Sequence, residues 1–170
     1  MTIYYFDASA LVKYYVLEPG SNWVRKLVES LTTDGQSRAN IILIAEVSLT
    51  ETAAAFAVLH RTRRISRRTR DGVFRAFMND ITSGVFRVTP VLTNDFHLAA
   101  HLTQSHPLKT YDAVQLAVAL RQNEVLVANG LTLIFISGDH TQLDAAQAEG
   151  LSTDNLFDHV SLADLPASSS

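Results

Sequence analysis

The 170-residue chain contains no cysteine, which excludes disulfide frameworks, cysteine–zinc sites, iron–sulfur clusters and thiol nucleophiles. It has only seven glycines, none arranged as a glycine-rich phosphate loop, which argues against an ordinary NTPase or dinucleotide enzyme. No apolar stretch approaches the roughly 18 to 20 residues needed to cross a bilayer, so no membrane partner is expected. Residues 1–20 lack a basic segment followed by a long apolar one, and Asp7 stands where the apolar run would be; a cytoplasmic location is expected. The histidines form no compact metal motif, since His97 and His101 are four residues apart but lack the His-Glu pattern of a zinc protease. Ser9 lacks the flanking glycines of a serine-hydrolase elbow.

What the sequence does contain is a globular pattern: 47% hydrophobic residues are too many for a disordered chain. The length suits one domain with a sizeable core. Ile3-Tyr4-Tyr5-Phe6 reads as a buried strand ending at Asp7, and Ser9 to about Val16 as a short helix closed by Glu18-Pro19-Gly20. A second helix begins at Ser21, and Asn40 to Ile44 gives a second strand. The spacing predicts a helical hairpin over about Val47–His60 and Ser66–Thr82, a short strand at Val85–Thr89, and helices near Asn94–Gln104 and Tyr111–Arg121. Leu131–Ile136 is a further strand, followed by a helix near Thr141–Glu149. Alternating strands and helices imply a three-layer α/β/α sandwich with a mainly parallel central sheet. Residues 1–150 read as one domain without repeat or linker. Residues 151–170 are given no role, and Ser168–Ser170 has the composition of a frayed tail.

In such folds ligands bind beyond the carboxyl ends of the strands. Asp7 and Asp139 each follow directly on an apolar strand, which places both at that edge. Asp112 opens a helix that is apolar on nearly every face, where an ionised carboxylate is costly without a partner. Glu51 lies about one turn into the helix after the second strand. Glu46 competes with it, because five residues are about 500° of helical rotation and only one of the two could face a site. Each acid also has a plainer reading. Asp7 and Asp139 could be helix N-caps, Glu51 could close a capping box with Ser48, and Asp112 could simply favour its helix dipole. Taken together, four carboxylates near one sheet edge repel one another unless a cation neutralises them. Oxygen ligands without His or Cys favour Mg²⁺ or Mn²⁺ over zinc, and such an ion suits phosphodiester hydrolysis.

The blocks Phe6-Asp7-Ala8-Ser9-Ala10-Leu11-Val12-Lys13-Tyr14, Glu51-Thr52-Ala53-Ala54-Ala55-Phe56, Tyr111-Asp112-Ala113-Val114-Gln115-Leu116-Ala117 and Ile136-Ser137-Gly138-Asp139 occur in that order. With them the chain resembles the PIN-domain ribonucleases, most closely the VapC-type toxins of bacterial toxin–antitoxin pairs. The resemblance implies a PIN-like fold and a metal-dependent endoribonuclease. Asp7, Glu51, Asp112 and Asp139 would be the Mg²⁺- or Mn²⁺-binding acids, supported by Ser9 and Ser137. It also implies an RNA substrate, a cognate antitoxin and a homodimer. Many relatives carry His where this chain has Gln115. Two other readings remain open: an acid-based phosphohydrolase with Asp7 as nucleophile, although such enzymes usually have a second Asp where Ser9 stands, and a non-catalytic binding module.

The formal charge of −3 seems to oppose nucleic-acid binding, but it is unevenly distributed. Residues 60–87 carry a formal +6, whereas residues 122–170 carry −7. Arg64, Arg67 and Arg68, within the arginine-rich hairpin, are candidates for contact with RNA phosphates or an acidic antitoxin segment, against the plainer reading of a solvated helical face.

Overall fold

The side-chain alternation of three strands divides the molecule into layers. In β1 (Thr2–Phe6), Ile3 and Tyr5 enter one core while Phe6 enters the other. In β2 (Asn40–Ala45), Leu43 and Ala45 point to the first core and Ile42 and Ile44 to the second. Leu133 and Phe135 of β4 (Leu133–Ser137) join the first core, and Ile136 joins the second. A strand apolar on both faces is buried on both, which is the signature of a parallel sheet covered by helices.

The computed structural model describes residues 1–164. Its five strands lie in the order β3-β2-β1-β4-β5 and every pair is parallel. The expected three-layer α/β/α sandwich with a mainly parallel sheet is therefore observed. One face is covered by α5 (Thr93–Ser105), α6 (Thr110–Val127) and α7 (His140–Ala148). The other carries α1 (Ala8–Tyr15), α2 (Ser21–Glu29) and the hairpin of α3 (Val47–Arg61) and α4 (Arg67–Thr82). No described helix is long and apolar enough to cross a membrane.

Chain order reverses at β1: β2 and β3 (Arg87–Thr89) extend the sheet one way, β4 and β5 (Ser152–Asn155) the other. At such a switch point the connections leave in opposite directions and open a crevice outside the carboxyl ends of the strands. Asp7 follows β1 and its N–H still donates to the Ile136 carbonyl at 3.2 Å, so the ends of the two central strands are tied together at that crevice.

Three local expectations differ from the structure. Residues beyond Gly150 supply a fifth strand, Ser152–Asn155, although its four side chains are all polar and give no hydrophobic signal; the buried Leu151 and Leu156 on either side anchor it. Helix α6 continues past Arg121 to Val127. Arg121 is itself a good helix former, and its guanidinium donates to buried Asp95 at 2.7 and 2.9 Å and to the Pro90 carbonyl at 2.8 Å. Ser48 and Glu51 form no capping box: Ser48 already lies inside α3, fully buried, and its hydroxyl faces Gln115. The serine-rich segment Ser168–Ser170 lies outside the described residues.

Candidate functional site

Asp7 is 5% exposed and serves two structures at once. As the N-cap of α1 its Oδ1 accepts from the Ala10 N–H at 2.9 Å and from the Ser9 hydroxyl at 2.7 Å. Its Oδ2 accepts from the Ser137 hydroxyl at 2.7 Å. A carboxylate oxygen offers two lone-pair sites, so this arrangement fills Oδ1 and leaves one site on Oδ2. The cap reading is correct for Asp7 and does not exhaust its capacity.

The loop after β4 is stitched to the same point. The Gly138 N–H donates to Ser9 Oγ at 3.0 Å, and the Asp139 N–H donates to Ser137 Oγ at 3.0 Å. Asp139 caps α7 by accepting from the Thr141 and Gln142 N–H groups at 2.8 and 3.4 Å. Gln142, buried, in turn donates to the Asp112 carbonyl at 3.4 Å, linking the start of α6 to the loop.

Glu51 reaches this edge from α3. Its Oε2 accepts from Gln115 Nε2 at 2.5 Å, and Gln115, 1% exposed, accepts from Ser48 at 3.3 Å. Glu46 stands exposed at the start of α3, about 500° of helix rotation away from the side chain that packs inward.

The electrostatics of the four acids are mutual. Burial, with the Asp112 charge added, raises the carboxyl pKa of Asp7 despite its hydrogen bonds. Burial raises Glu51 to about 7; the Gln115 hydrogen bond opposes this, and the charges of Asp112 and Asp7 reinforce it. Asp112 is raised by burial and then by Asp139. Among the described residues no Lys, Arg or His is ion-paired to any of the four. Nor, among them, do three His, Asp or Glu side chains gather into a group that could hold a metal ion. Mg²⁺ does not require three, since it commonly takes one or two carboxylates and completes its octahedron with water and substrate oxygens. All-oxygen, partly buried and without an ion-pair partner, the donor set fits a hard divalent cation in charge and in ligand type, Lys109 opposing the rise only at Asp112.

Glu51, Asp139 and Ser9 line an open cleft of about 810 Å³, and Asp7 lies behind Ser9. Lys13, Glu18 and Arg64 also line it. Glu18 accepts from Lys13 at 3.2 Å and from Arg64 at 2.5 Å, fixing two cations beside the acids. Arg67 and Arg68 do not line this cleft; Arg67 lies 3.9 Å from Asp71 and both are exposed on α4. Lys13, Glu18, Gln115, Gln142 and Phe157 were not anticipated as parts of the cleft or its supports. For Lys13 a signal existed, since it follows Ser9 by four residues and so shares its helix face.

A model of the PIN domain family matches residues 4–134. Among curated proteins nothing matches. Three similar solved structures are FitAB bound to a DNA fragment, VapBC2 from Rickettsia felis bound to a promoter DNA fragment, and the sarcin–ricin-loop-cleaving toxin VapC20 of Mycobacterium tuberculosis. FitAB gives a TM-score of 0.61 at 13% identity, covering 92% of this chain and 96% of that one. VapBC2 gives 0.58 at 12% identity over 91% and 98%, and VapC20 gives 0.55 at 18% over 88% and 96%. These likenesses concern the fold.

The raised carboxyls fix the sign of a pH effect. Each binds its proton more tightly folded than unfolded, so the stability it contributes is complete below the unfolded value near 4 and is lost as pH rises through the folded one, about 7 for Glu51. Without divalent ions the melting temperature should fall between about pH 5 and about pH 8. Glu51→Gln should flatten that fall, and Mg²⁺ should offset it. A melting temperature that is level or rising over this interval would contradict the electrostatic account. From the parallel sheet, the switch-point crevice and the family match over residues 4–134, the chain belongs to the PIN domain family.

Proposed function

We propose that the protein is a metal-dependent endoribonuclease acting as the toxin of a type II toxin–antitoxin pair. The observation that carries this reading is the gathering of Asp7, Glu51, Asp112 and Asp139 without an ion-pair partner among the described residues, the first three raised in pKa by burial and by neighbouring carboxylates. Asp7 and Asp112 would be the principal ligands of a Mg²⁺ or Mn²⁺ ion, with Glu51 and Asp139 completing the shell or holding water. Such an ion, when bound, lowers the pKa of a coordinated water and stabilises charge on a phosphoryl group.

The remaining work falls to the chain's own residues. Ser9 and Ser137 hold the Asp7 carboxylate in one orientation, and Gln115 does the same for Glu51. Arg64, exposed and tethered by Glu18, offers positive charge to a phosphodiester backbone lying in the cleft, while buried Lys13 braces Glu18 from behind. Asp7 is a poor candidate for a covalent nucleophile, because three hydrogen-bond donors fix its oxygens in place and draw electron density from them. That VapC20 is described as an RNA-loop-cleaving toxin, and that FitAB and VapBC2 are complexes, supports the toxin reading and an antitoxin partner. A homodimer and a cytoplasmic setting belong to the same proposal.

Incubation of the purified protein with mixed RNAs and Mg²⁺ or Mn²⁺, followed by end mapping, tests the reading. Asp7→Asn or Asp112→Asn should reduce cleavage to background while circular dichroism stays native. Full activity in either variant would refute the assignment. A role for the hairpin in RNA contact has its own measurement: neutralising Arg67 and Arg68 should reduce the salt slope of RNA binding by roughly 0.7 per lost phosphate contact. An unchanged slope would leave those arginines as solvated surface.

A further inference from the structure

Phe157 belongs to the segment after β5 that carried no sequence expectation, yet it lines the same cleft as Glu51 and Asp139. It is 45% exposed, so part of the ring is accessible from the cleft. Three other rings are placed differently: Phe77 is buried in the core, Trp23 lies flat against His159 with centroids 4.0 Å apart, and Phe74 is exposed on α4 but does not line the cleft.

The ring is held rather than free to swing. The Phe157 N–H donates to the side chain of buried Asn155 at 2.9 Å. Gly138, directly before Asp139, leaves room for it, since a Cβ there would meet the ring at 2.9 Å. The Lys13 ammonium sits 4.7 Å from the ring centroid and is anchored by Glu18. An aromatic plane backed by the buried Lys13 ammonium over its ring, with the exposed cation Arg64 on the same wall, supplies the parts with which proteins hold single-stranded nucleic acid: a π-surface for a base and positive charge for its phosphate. The acids cannot attract RNA by themselves, so positioning has to come from these groups.

We propose that Phe157 is a nucleobase-stacking platform which, with the exposed Arg64 on a flanking phosphate, sets which nucleotide is presented to the carboxylates. This rests on the ribonuclease reading above and adds the substrate class the cleft takes: unpaired RNA, read first through the stacking of one base.

The test uses the full-length chain carrying Asp7→Asn and a short single-stranded RNA containing 2-aminopurine at successive positions. One position should show stacking-dependent quenching. Adding Phe157→Leu, which keeps apolar bulk against Gly138 but removes the π-face, should abolish the quenching and weaken binding roughly 5- to 150-fold. Phe157→Trp should retain both. An abasic nucleotide at that position should erase the difference between Phe157 and Leu. Equal affinity and equal quenching with Phe157 and with Leu would overturn the platform and leave the ring to a protein segment. Cleavage assays with the wild-type chain and Mg²⁺ separate the two ideas. No cleavage at all sinks the catalytic reading. Cleavage whose sites and KM do not change in Phe157→Leu sinks the platform alone.

Discussion

The hydrogen bond from Ser137 to Asp7 joins the carboxyl ends of the two central strands, and the surrounding geometry follows from it. Asp7 can be buried only because three donors satisfy its charge locally: Ser9 and the Ala10 N–H from the helix it caps, and Ser137 from the neighbouring strand. Ser137 in turn receives the Asp139 N–H and lies 3.1 Å from Gln142, whose amide reaches the first turn of α6. One hydroxyl thus brings β1, β4, α7 and the start of α6 to a common point. The fold sets this up, since a parallel sheet whose order reverses at β1 necessarily opens between the strand ends that Asp7 and Ser137 occupy.

Placing carboxylates at that point stores electrostatic cost. Hydroxyl and amide donors orient Asp7 and Glu51 without neutralising them, and burial outweighs their hydrogen bonds, so the acids hold protons more tightly than ordinary carboxyls do. A stability-driven sequence would replace these side chains with apolar ones, whereas a site for a divalent cation requires them. The same bookkeeping changes the meaning of the overall −3 charge. With the four site acids set aside, 13 acidic residues face 14 basic ones, and the cleft itself brings Lys13 and Arg64 beside Glu51 and Asp139. An acidic average is therefore compatible with a phosphate-bearing ligand held locally.

The fold was largely legible because its central strands are apolar on both faces, α2 and α4 carry 3.6-residue patterns, and α6 is apolar on nearly every face. The four acids were legible as residues at strand ends and at a helix start, and three of them share charge coupling that only the folded distances define. Strand β5 was not legible, since Ser152-Thr153-Asp154-Asn155 pairs through its backbone and offers no apolar alternation. The Ser48–Glu51 spacing was misleading because the same four-residue pattern that suits a capping box also suits two groups turned toward Gln115. Lys13 and Phe157 come together from segments 144 residues apart, a juxtaposition that local sequence does not encode.

The central claim is that crowded carboxyls, whose proton affinities are raised by burial and by one another's charge, are the receptor for a divalent ion. Calorimetric titration of Mn²⁺ into the apo protein near pH 7, repeated in buffers of different ionisation enthalpy, measures it directly. Saturable binding that releases protons, because Glu51 with a value of about 7 gives up its share as the ion enters, is the predicted result. Absence of binding, or binding with no proton release at that pH, would contradict the account.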